Sequence, residues 1–295
     1  MTHANADGGH ALGVGLVLAS TAAFALAGVL TKSIDADPLV IACWRGLVGG
    51  LFIGTYVLFR SPAAARRSAF RIGWRGWLMA LVGGAASIAF IAAFKFTYVS
   101  NVTIIYATAP FAAALLEFVL LGQRLSKRTA MAATVSMAGV AIMATGGVGS
   151  INLLGDGLAL AMTLGSALYM VMIRAFRDTQ VVWVGAVSGF MLFTLGWVLA
   201  DPLAVAPGDT LLLVAFGASY ALAVILWTEG TRLVTAAESG LIGTAEVPLA
   251  ILFGLLFLAE IPPWASFTGG AVVLAAVLAH ARCRPTAAAP PAQRG

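Results

Sequence analysis

Apolar stretches about twenty residues long recur along the whole chain, separated by short polar or basic connections. A helix rises 1.5 Å per residue, so roughly twenty apolar residues cross a hydrocarbon layer about 30 Å thick. The pattern predicts ten such helices, over 12–31, 39–59, 77–97, 102–121, 129–147, 156–174, 180–200, 210–230, 238–258 and 264–281. Met1 to His10 is polar and lacks a basic leader, so the first segment reads as a helix that stays in place and not as a cleaved signal. The tail 282–295, with Pro285, Pro290, Pro291 and a run of alanines, reads as disordered.

Composition agrees with a lipid environment. Hydrophobic residues make up 61% and charged residues 10% of the chain, with a mean hydropathy of +0.98. A soluble domain carries about 25% charged residues, so this chain has too few to cover itself in water. The net charge of +5 would suit nucleic acid in a soluble protein. Here the basic residues lie in short connections between apolar segments, which points to membrane orientation instead.

With ten helices, both ends of the chain share one side. That side holds fourteen basic residues: Arg60, Arg66, Arg67, Arg71, Arg75, Arg124, Lys127, Arg128, Arg174, Arg177, Arg232, Arg282, Arg284 and Arg294. The other side holds Lys32 and Lys95, while Arg45 falls inside the second segment. Cytoplasmic loops are enriched in Lys and Arg, so both termini are expected in the cytoplasm of a multi-pass inner-membrane protein.

The chain also repeats itself. Gly13 to Thr21 aligns with Gly155 to Thr163, six of nine positions being identical, and Lys32 then meets Arg174. Ala93 to Asn101 aligns with Gly230 to Glu238, placing Lys95 on Arg232, and Pro110 falls within one residue of Pro248. The expected domains are residues 1–148 and 149–281, each with five helices. An odd number of crossings turns the second half upside down relative to the first. Inverted repeats are a common plan of secondary transporters, with the substrate site near the midplane between the halves.

Trp44-Arg45-Gly46, Ala93-Phe-Lys-Phe-Thr97, Ala109-Pro110-Phe111 and Leu121-Gly122-Gln123-Arg124-Leu125-Ser126 occur in order, followed by Glu246-Val247-Pro248 and Leu258-Ala259-Glu260. In their order and spacing the chain resembles an EamA-type member of the drug/metabolite transporter superfamily. It departs at Gln123, where that family often has Glu, and at Ala259 to Pro262, where the second copy of the motif is eroded. The resemblance implies export of metabolites or amino acids, with the aromatic amino-acid exporters as one kind.

Ionisable groups at membrane depth are costly, so each raises a functional question. Arg45 is a candidate contact for a carboxylate, or a residue that snorkels to the outer boundary. Glu246, two residues before Pro248, is a candidate contact for an amine or a proton, or a neutral acid bonded to a carbonyl freed by the proline. Lys95 and Arg232 are matched candidates for gates or helix-end anchors. Thr103, Tyr106 and Pro110 share one helix stripe. With Thr21, Phe24, Thr163, Ser166, Tyr169, Trp227 and Thr244 they are the candidate lining of a central cavity, or small polar contacts between helices.

Walker, HExxH and GxSxG motifs are absent, and the three histidines form no constellation, so neither enzyme chemistry nor a cofactor or metal is expected. Cys43 and Cys283 fall on opposite sides of the predicted topology and are not expected to pair. The expected activity is export of a small solute by a monomeric carrier, most simply an aromatic or other hydrophobic amino acid. Efflux of lipophilic cations is the first alternative, and a membrane enzyme or assembly scaffold the second. The charge count predicts that a green fluorescent protein fused after Gly295 fluoresces and an alkaline phosphatase fused there is inactive; the opposite pair of results would invert the topology.

Overall fold

The computed structural model describes residues 2–61, 70–122, 126–145, 151–177, 179–234 and 236–282. Cys283, the expected disordered tail after Arg282 and the Gln123-Arg124-Leu125 part of the motif lie outside them. The described residues form thirteen helices and no strand. They are α1 (Thr2–Ala25), α2 (Ala27–Ser33), α3 (Pro38–Arg60), α4 (Trp74–Phe96), α5 (Val99–Tyr106), α6 (Ala109–Leu121) and α7 (Lys127–Thr145). There follow α8 (Ile151–Ala175), α9 (Val181–Leu199), α10 (Asp209–Gly230), α11 (Ala236–Gly243), α12 (Glu246–Leu258) and α13 (Trp264–Arg282).

Eight stretches are long and apolar enough to cross a membrane: Gly9–Ser33, Pro38–Arg60, Trp74–Phe96, Val99–Leu121, Lys127–Thr145, Asn152–Ala175, Val181–Leu199 and Asp209–Gly230. Glu246–Leu258 and Trp264–Ala279 are shorter apolar helices. Helix α1 starts at Thr2, well before the predicted first segment, because an apolar helix once nucleated extends at little cost into flanking polar residues.

Three predicted helices are broken where irregular backbone is local and repaired. The first bends at Leu26, between α1 and α2. The fourth breaks at Ala107–Thr108, just before Pro110, which lacks an amide hydrogen. The Thr108 hydroxyl donates to Ile105 O at 2.7 Å and takes up a carbonyl left near the break. The ninth breaks at Thr244–Ala245, before Glu246 and Pro248. Helices α6 and α12 both end on a left-handed residue, Gly122 (φ 65°) and Ala259 (φ 50°). Glycine adopts that backbone without strain; alanine at the same turn does not.

Helix α3 packs along α9, α4 along α8, α1 along α10 and α7 along α13. Two of these contacts are backbone to backbone. A Cβ on Gly46 would stand 2.4 Å from Gly189 O, and one on Gly189 would stand 2.5 Å from Gly46 O. The same reciprocity joins Gly139 and Gly269, at 2.7 Å and 2.3 Å. Lipid gives helices no hydrophobic reason to associate, so close approach of small residues is what holds them. The principal buried cluster, which includes Phe94, Val99, Ile105, Met143, Met162 and Val273, lies where α4, α5, α7, α8 and α13 meet.

Replacing Gly46 with Leu must part α3 from α9 and is expected to cost about 1–3 kcal/mol, read as a fall in the thermal unfolding temperature in detergent. Gly157, where an added Cβ meets nothing within 4 Å, provides the control: Gly157→Ala is expected to leave that temperature unchanged or slightly higher.

Candidate functional site

Arg45 adjoins Gly46, which touches Gly189 near the middle of the nineteen-residue α9. The residue therefore packs beside the middle of α9. It is 8% exposed. Its guanidinium carbon lies 4.1 Å from the ring centre of Tyr220, 5.1 Å from Phe216 and 5.6 Å from Phe90. One terminal nitrogen donates to Ser87 Oγ. Among the described residues no carboxylate faces it, and its Nε is buried without a partner. Desolvated cation–π contacts are worth about 2 kcal/mol. Those contacts hold the cation in place while leaving its fork of donors largely unused.

Tyr169 of α8 packs beside Gly83 of α4. Aromatic rings from α4 and α10 thus surround one arginine of α3.

Glu246 opens α12 just after the helix break. Its carboxylate lies in the first turn, where the amide dipoles favour negative charge. The side chain is half-buried, and among the described residues it makes no hydrogen bond or ion pair. Tyr106, from helix α5, is half-buried. Trp227 packs over Gly243, three residues before it.

The remaining candidates divide in two. Thr21, Thr103 and Thr163 are buried and give their hydroxyl hydrogens to their own helices, Thr21 to Val17 O at 2.8 Å and Thr163 to Ala159 O at 2.7 Å. Thr103 donates to Val99 O at 3.0 Å. Phe24, Ser166 and Thr244 are half-buried, and Pro110 is exposed. Lys95 donates to Ile34 O, whereas Arg232 is an exposed partner of Glu229 at 2.9 Å, so these two matched residues have different surroundings. Trp44 is tied to the loop after α9 through Nε1 to Pro202 O at 2.8 Å.

Three polar groups outside the set of candidate site residues make contacts between helices. Asp156, 6% exposed, accepts from Thr97 Oγ1 at 2.7 Å and Asn101 Nδ2 at 3.0 Å. Glu260 meets Lys32 and the Val99 amide. Glu229 gathers Tyr56, Arg60 and Arg232. Their sequence separations range up to 228 residues, and a single sequence carries no signal for such pairing. Asp156 alone had a local clue, an acid in the second turn of an otherwise largely apolar helix. Among the described residues, neither Arg45 nor Glu246 forms an ion pair, and Glu246 makes no hydrogen bond.

Residues 11–145 match the model of the EamA-like transporter family, whose members are transporters and not enzymes. No curated protein matches this chain. A solved crystal structure 18% identical in sequence matches 95% of this chain and 99% of its own, with a TM-score of 0.62. That likeness extends the shared fold well beyond the residues matched by the family.

Asp156→Ala would leave the Thr97 hydroxyl and the Asn101 amide buried without an acceptor. The expected cost is about 1–3 kcal/mol of stability, measured as lost thermal resistance in detergent, with Asp156→Asn retaining part of it.

Proposed function

We propose that this chain, which belongs to the EamA-like transporter family through residues 11–145, exports zwitterionic amino acids with flat apolar side chains by alternating access. Ten crossings form two inverted halves, 1–148 and 149–281, with both termini in the cytoplasm. The observation that carries the substrate class is the pair of unmatched charges, Arg45 within its aromatic shell and Glu246 at the head of α12. Arg binds a carboxylate with two parallel hydrogen bonds, and a carboxylate at Glu246 suits an ammonium. Tyr220, Phe216, Phe90 and Tyr169 offer ring faces to the side chain. A multiply charged phosphate would require more than one cation at this depth.

Reciprocal packing supports the inverted halves. Gly13 abuts Leu233 and Val234, while its repeat partner Gly155 abuts Phe96 and Thr97, the partners of those two residues. Gly46 with Gly189, and Gly139 with Gly269, face each other as paired positions do across a two-fold axis. The αL turns at Gly122 and Ala259 also correspond. Substrate then sits near that axis, and the halves rock around it.

Proteoliposomes loaded with labelled aromatic, aliphatic and acidic amino acids, and with lipophilic cations, test the reading. Aromatic amino acids are expected to move. Arg45→Gln should lower their transport at least about tenfold, the loss of a charge-assisted bidentate contact being worth roughly 1.5–3 kcal/mol. Glu246→Gln should lower it too. Movement of lipophilic cations that Arg45→Gln leaves intact would replace this reading with cation efflux, and movement of no solute would end the carrier interpretation.

A further inference from the structure

At the outer end of the proposed topology, one carboxylate joins three parts of the chain. Glu260 follows the left-handed turn at Ala259, which closes α12. One of its oxygens pairs with Lys32 Nζ, just before the end of α2, and the other accepts from the Val99 amide at 2.8 Å. Val99 is the first residue of α5, so the carboxylate also faces the positive end of that helix. The Lys32 ammonium in turn lies 5.9 Å from the ring centre of Tyr98. Helices α12 and α5 are held close at this point, since a Cβ on Gly254 would stand 3.3 Å from Val99 Cβ. Glu260 belongs to the second half, whereas Lys32 and Val99 belong to the first.

The matching inner position is built differently. Lys32 corresponds to Arg174, and Glu260, one residue past its αL turn, corresponds to Gln123, one residue past Gly122. A neutral amide cannot form the ion pair. Arg174 pairs there with Glu117 at 2.7 Å, also joining the two halves; their side chains are 65% and 13% exposed, against 20% and 16% for Lys32 and Glu260, so only the arginine end is open to screening.

Burial differs in part between the two ends. Val99 to Ile105 are all buried, as are Ala27, Gly28, Val29 and Thr31 of α2. In the second half, Val171, the partner of Val29, is buried as well, whereas Tyr169 and Ile173, the partners of Ala27 and Thr31, are half-buried, and Met170, the partner of Gly28, is exposed. Ser239, the partner of Val102, is buried, and Glu238 and Ile242, the partners of Asn101 and Ile105, are half-buried.

We propose that Glu260, joined to Lys32 and the Val99 amide, is a latch that holds the outer half shut in the empty protein. The proposal rests on the alternating-access reading above and adds a direction to it: a carrier latched on its outer side loads from within. Opening outward requires α5 and α2 to leave Glu260, and substrate bound between the halves must offset that loss.

The test uses full-length protein in intact cells, with Cys43→Ser and Cys283→Ser, and Ser100→Cys as the reporter. Ser100 is one residue past the latched amide, and its hydroxyl is buried without a partner. A membrane-impermeant maleimide added outside is expected to label Cys at position 100 slowly. Lys32→Ala and Glu260→Gln should each raise the rate roughly fivefold, and Glu260→Ala, which also frees the Val99 amide, should raise it further. Lys32→Ala leaves the Val99 bond intact and decides the matter if the Glu260 variants do not fold. Unchanged labelling in folded Lys32→Ala, with solute still moving in proteoliposomes, would overturn the latch. A raised rate in protein that moves no solute would support the latch and sink the transport reading alone.

Discussion

A charged side chain inside hydrocarbon has no water to turn to, so its partners must come from the protein or from what the protein carries. This requirement explains most of the polar contacts between helices. Lys32 and Glu260, Arg174 and Glu117, and Glu229 with Arg60 and Arg232 satisfy it at helix ends, where one side of each pair still reaches the interface. Asp156 satisfies it with two neutral donors at the start of α8. Arg45 satisfies it in a different way, through ring faces and one hydroxyl, which stabilise the cation without using up its hydrogen-bond donors. That choice keeps a guanidinium available beside the middle of α9.

Backbone contact makes such a shell possible. Where Gly46 meets Gly189, α3 and α9 approach with no side chain between them. The long Arg45 side chain, next in sequence, is then directed toward α4 and α10, where it finds Ser87, Phe216 and Tyr220. A bulkier residue at either glycine would shift the arginine as well as the helix. Helix packing and the surroundings of Arg45 thus share a single point in the fold.

The helix breaks have a related effect. Proline at 110 and 248 withholds amide hydrogens, and the chain responds by ending one helix and starting another within two residues. The new start at Glu246 places a carboxylate on a helix N-terminus in the interior. Irregular backbone is tolerated at such depth only where other protein groups or a cavity satisfy it, which is why both breaks lie beside polar side chains, Thr108 and Thr244 among them. The bend at Leu26 has no proline, whereas α8 runs unbroken from Ile151 to Ala175.

Much of this was legible in the sequence because the bilayer imposes a length and a composition on every crossing helix. Apolar runs located each helix to within about ten residues at worst. Periodicity also marked Arg45 and Glu246 as unusual. It could not say that Arg45 is caged by Tyr220, that Thr21, Thr103 and Thr163 donate to their own helices, or that Glu260 bridges Lys32 and Val99. Hydrophobicity is a property of each residue in its solvent, so a linear sequence records it directly. A partner 161 or 228 residues away is fixed only when the helices pack and a particular pair of backbones comes within reach.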